Sequence, residues 1–144
     1  SGLSGGGDFS ADRSFSVNTN VRDKQVGLFY SGNLATAMLG EESRIYIPFN
    51  MELRAVRLAV TTSATGANIL VNPLQYNALL TASTAMFLAG NRPMIVTNNL
   101  AGSDNGTITI GTLFSGSWLA CNVDQVGSTV VGSNLTINFL LRSS

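Results

Sequence analysis

Leu135-Thr136-Ile137-Asn138-Phe139-Leu140-Leu141 decides how this chain folds. Leu135, Ile137, Phe139 and Leu141 recur at every second position, with Thr136, Asn138 and Leu140 between them. Successive side chains of a strand point to opposite faces, so this period lays one apolar row against a core. A helix would scatter the same residues around its axis.

The period recurs upstream. In Ser117–Val123, Leu119, Cys121 and Val123 separate from Trp118, Ala120 and Asn122. Val56, Leu58 and Val60 alternate with Arg57, Ala59 and Thr61. Val26, Leu28 and Tyr30 do the same in Gln25–Ser31, as do Ile45, Ile47 and Phe49 in Ser43–Phe49, where Pro48 signals an edge or a strand end. Ala67–Val71 is a short apolar run that Asn72-Pro73 is expected to end in a turn, and Met94–Thr97 is another short run. Asp104-Asn105-Gly106 is a strong turn sequence, because Asn and Gly tolerate positive φ, and the alternation over Thr107–Leu113 predicts a hairpin there. Tyr76–Leu88 fits a short helix or two strands; the Thr and Ser residues within it favour strands joined by a loop. Leu34–Leu39 poses the same choice on a smaller scale. Strands recurring every eight to twelve residues predict an all-β, antiparallel β-sandwich or barrel over residues 25–144.

Residues 1–24 read differently. Ser1-Gly2-Leu3-Ser4-Gly5-Gly6-Gly7 has no periodicity, and after it the apolar residues stand isolated among polar ones. Ordering each residue costs about 1–2 kcal/mol. A buried apolar side chain returns about 1.5–3 kcal/mol, and Leu3, Phe9, Phe15, Val17 and Val21 are too few to offset the whole segment. This segment is expected to be an extended N-terminal arm that gains its order on another surface. Leu3, Phe9, Phe15 and Val17 are its candidate apolar anchors, and Arg13 and Arg22 its candidate partners for acidic groups.

The 144-residue chain has a net charge of zero, and only 11% of its residues are charged. After Arg57 the charged residues are Arg92, Asp104, Asp124 and Arg142. No basic footprint exists to neutralise phosphates, so no nucleic-acid partner is expected. Weak repulsion between copies permits close self-association. No basic stretch followed by an apolar run opens the sequence, and no apolar run is long enough to span a bilayer, so neither a secretion signal nor a membrane partner is expected.

Histidine is absent, which removes the commonest general base and transition-metal ligand. The single cysteine, Cys121, lies in a strand pattern and reads as a small core residue. Glu41-Glu42, Asp104 and Asp124 are the carboxylates that could pair. Glu41 and Glu42 read as solvated loop charges and Asp104 as a turn former. Phosphate-cradling, dinucleotide and EF-hand patterns are missing. No enzyme activity, cofactor or metal is expected. Trp118 with Tyr30, Tyr46 or Tyr76 could stack on a sugar, although packing in the core or an interface is the plainer reading.

The segment from Trp118 through Asp124-Gln125-Val126-Gly127-Ser128-Thr129 to Gly132 and Asn134–Ile137, with Ile45-Tyr46-Ile47-Pro48-Phe49 before it, resembles small jelly-roll-like β-sandwich domains of tailed-phage virion proteins. The resemblance covers residues 43–142. Ser115-Gly116-Ser117-Trp118 replaces the Gly-Asp common in that pattern before the penultimate strand. It implies a non-enzymatic virion structural protein: a capsid decoration or cement protein on the capsid surface, bound to the major capsid protein or other virion subunits, with a homotrimer expected. The alternative is a phage fibre or receptor-binding module that recognises a host-surface glycan.

Overall fold

The computed structural model describes residues 3–4, 16–17, 23–36 and 44–143. The protein is all-β and antiparallel, and no α-helix occurs among the described residues. Strands β1 (Leu3–Ser4) and β2 (Ser16–Val17) pair with each other, Leu3 opposite Val17. The body contains β3 (Asp23–Asn33), β4 (Arg44–Tyr46), β5 (Met51–Ala59), β6 (Ile69–Tyr76), β7 (Ser83–Ala85), β8 (Met94–Ile95), β9 (Ala101–Ser103), β10 (Thr112–Leu113), β11 (Trp118–Val126) and β12 (Ser133–Ser143). One hydrogen-bonded path runs β3-β12-β5-β9-β8-β6-β11-β4, with β10 on β5 and β7 on β6. The sheet curls until its two end strands, β3 and β4, nearly meet, so the sandwich is close to a closed barrel.

The alternation sets the inside. Leu135, Ile137, Phe139 and Leu141 of β12 are buried, as are Leu28 and Tyr30 of β3, Leu53, Val56 and Leu58 of β5, and Leu119, Cys121 and Val123 of β11. They join one continuous core with Ile47, Ile69, Val71, Met86, Phe87 and Leu113. Tyr30 reaches across this interior and donates its hydroxyl to the Cys121 carbonyl, 2.5 Å away. A phenol buried among apolar side chains needs such a partner.

Three bulges bend the sheet. One lies in β3, where Ser31 and Gly32 together face Asn134 of β12; Asn134, at φ +54°, accepts from Gly32 N and donates to Thr61 Oγ1, each at 2.8 Å. One lies at Asp124 in β11 and turns that carboxylate toward Arg92. The third is at Arg54 in β5 and shifts the inward set from Met51 and Leu53 to Val56 and Leu58. Bulges raise local twist, which favours curling.

Three expectations need correction. Asp23 and Lys24, grouped by sequence with the leading segment, are ladder residues of β3 opposite Arg142 and Leu141, and Arg142 donates to Asp23 at 2.7 Å. Asn72-Pro73 is no turn: β6 runs through it, with Cys121 opposite Pro73. The proline is tolerated because β8 pairs only with Ile69 and Leu70, and β7 begins again at Leu74. Its missing N–H falls in that gap, where its carbonyl still accepts from Met86 N. Asp104-Asn105-Gly106 turns, with Gly106 at φ +86°, but no hairpin follows. Thr109 N and Ile110 N both donate to Met86 O, and only Thr112–Leu113 becomes a strand, on β5. Tyr76–Leu88 resolves as expected, into β6, a loop over 77–82 and β7.

Candidate functional site

The six residues that the sequence nominates for an interface are Leu3, Phe9, Arg13, Phe15, Val17 and Arg22. Leu3 and Val17 are backbone partners across β1 and β2. Phe9, Arg13, Phe15 and Arg22 lie outside the described residues, as do Glu41 and Glu42.

Two surfaces of the body stand out. The first is the seam where, among the described residues, the nearly closed sheet leaves its two end strands unpaired with each other. Strand β3 has a strand neighbour only in β12, and β4 only in β11, among the described residues. Between the two edges lies a groove of about 370 Å³ with walls that include Val26, Ile45, Ile47, Phe49, Met51 and Leu141. Pro48 at the end of β4 stops that strand from lengthening, as its position in the sequence anticipates.

The second lies on the outer face of β4, β11 and β6. The register aligns Tyr46, Trp118 and Tyr76 in one cross-strand row. The Tyr46 and Trp118 rings meet edge to face, centroids 5.1 Å apart. One residue pair further along, Arg44 and Leu74 flank Ala120, whose small side chain lets the Arg44 guanidinium carbon sit 5.5 Å from the Tyr76 ring centroid. Tyr30, which the sequence could not separate from this group, is excluded because it faces the core.

Beside the row, a cleft of about 330 Å³ opens between the 77–82 loop and the segment from Phe114 to Ser117. Both walls are tied down by side-chain amides. Gln75, buried beneath them, donates to Thr112 O at 3.0 Å and accepts from Phe114 N at 2.9 Å. Asn77 accepts from Thr81 N and Ala82 N and donates to Thr81 Oγ1. Phe114, held on this fixed backbone, is 58% exposed. Sequence reading missed the cleft, because Gln75 and Phe114 meet only through the fold.

The remaining chemistry-bearing residues serve the structure. The Asp104 carboxylate accepts from Val56 N at 2.7 Å and Gly106 N at 2.8 Å, so it ties its turn to β5. Asp124 pairs with Arg92 at 2.6 Å. Burial pushes the Cys121 thiol pKa well up, and nearby Asp124 adds to the shift. Among the described residues no three His, Cys, Asp or Glu side chains gather to hold a metal, and no helix is long and apolar enough to cross a membrane. No family model, curated protein or solved structure matches the chain.

Proposed function

We propose that this protein is a non-enzymatic structural subunit of a virion, a decoration or cement protein that stabilises a shell from its outer surface. The observation that carries this reading is the open seam. An exposed sheet edge is a template for pairing with another chain, and strand addition supplies main-chain hydrogen bonds while a groove beside the edge selects side chains. Among the described residues β3 has a strand neighbour on one side only, and its Lys24–Val26 stretch lines such a groove. A body this poor in charge also tolerates close packing against copies and neighbours. The segment before Asp23, with Leu3, Phe9, Phe15 and Val17 as anchors and Arg13 and Arg22 as charges, is the extended element that would cross to a capsid subunit or a sister copy. A homotrimer is the assembly we favour.

The test uses virions assembled from the genome that encodes the chain. The full chain should stay with the shell through a density gradient, and a chain lacking residues 1–22 should fold but remain unbound. The deletion stops before Asp23, because Asp23 is paired with Arg142. Retention of the truncated chain would refute the role of the leading segment, and absence of the full chain from purified virions would refute the whole reading. A fibre or receptor-binding module is the second reading, favoured by the aromatic row and the cleft beside it.

A further inference from the structure

We infer that the cleft between the 77–82 loop and Phe114–Ser117 binds an uncharged saccharide. Its volume, about 330 Å³, lies at the small end of the range for ligand sites, roughly 300–1,000 Å³. Tyr76 and Phe114 supply aromatic surface for the C–H faces of a sugar ring. The Tyr76 ring is fixed by Arg44 packed over it. The hydrogen-bonding groups of the lining are neutral: Thr84, Asn77, Ser115 and Ser117. Ser115 donates its hydroxyl proton to Pro48 O and Ser117 to Phe114 O, which leaves both oxygens as fixed acceptors for sugar hydroxyls. No Asp, Glu, Lys or Arg lines the cleft, so no charged group of the lining pairs directly with a phosphate, sulfate or sialate. The Gln75 and Asn77 amides hold both walls before a ligand arrives, which lowers the ordering cost of binding. A Cβ at Gly116 would meet nothing within 4 Å, so this part of the lining is not packed against other atoms.

The experiment is an amide NMR titration of the full chain with neutral cello-, malto-, chito- and galacto-oligosaccharides, read in parallel by emission of Trp118, the lone tryptophan. One class should give saturable shifts at Asn77, Ser115, Gly116 and Ser117. Phe114→Ala, which removes only an exposed ring, should weaken binding about tenfold. Thr84→Ala should weaken it less, and Phe29→Ala, on another strand's outer face, should leave it unchanged. Loss of residues 1–22 should not alter the affinity, so this result stands apart from the shell-binding test. No saturable shift with any of the four classes, equal binding by Phe114→Ala, or tighter binding of a sulfated counterpart would each overturn the inference.

Discussion

Cys121 shows how far a single residue can be read from its neighbours. Its place in the Trp118–Val123 alternation marks it as an inward side chain, and it is fully buried. Burial favours the neutral thiol, so the folded state binds its proton where the unfolded state, near the usual thiol value of about 8.5, has released it. The unfolded chain therefore binds fewer protons above that pH, and stability should fall by about 1.4 kcal/mol per pH unit there. Urea titrations from pH 8 to 10.5 should reveal this decline in the native chain and a shallower one in Cys121→Ala. Gly102 shows the opposite case, because its neighbours in sequence give no hint of its constraint. A Cβ there would lie 2.0 Å from Met94 O and 2.8 Å from Ile95 Cα, since β9 runs close against β8. Gly102→Ala should cost about 1–3 kcal/mol through forced backbone movement, read as a lower urea midpoint at an unchanged slope.

At the scale of elements, alternation was legible wherever a strand has one apolar face over a long run. Strands β3, β5, β11 and β12 are such strands. The failures came where local signals depend on what lies alongside. Pro73 looks like punctuation but sits opposite Cys121, on the stretch where β6 has no ladder partner in β7 or β8. The alternating residues after Gly106 look like a hairpin arm but are drawn to the Met86 carbonyl. Strand β12 lies between β3 and β5, and its Phe139 is fully buried in the core. Phe139→Ala should therefore cost about 3–5 kcal/mol. Phe29→Ala, at an outward position of β3 that is 58% exposed, should stay within about 0.5 kcal/mol. Thermal or urea unfolding of both variants checks the contrast.

For the whole molecule, the decisive pairing joins the start of the body to its end: Leu28 of β3 lies opposite Ile137 of β12. Such long-range ladders must form before the core can close, and topologies of this kind fold in milliseconds to seconds. Refolding followed by Trp118 emission should fall in that range. Because one core cluster serves the whole body, equilibrium unfolding should give coincident transitions by Trp118 emission and far-UV circular dichroism. Two separated transitions would show that the sheet on either side of β9 unfolds independently.

The order of apolar and polar residues by itself determined that the chain is all-β, which side of β3, β5, β11 and β12 turns inward, that Asp104-Asn105-Gly106 turns, and that Cys121 belongs to the core. These are properties of period two and of local backbone preference, which act between neighbours in the chain. Only the tertiary structure decided that β3 and β4 end as facing edges of one curled sheet, that Tyr46, Trp118 and Tyr76 share a row while Tyr30 does not, and that Gln75 holds Phe114 at the mouth of a cleft. Those features arise from strand order and register between distant segments, which hydrogen bonding and core packing select together and which no local pattern encodes.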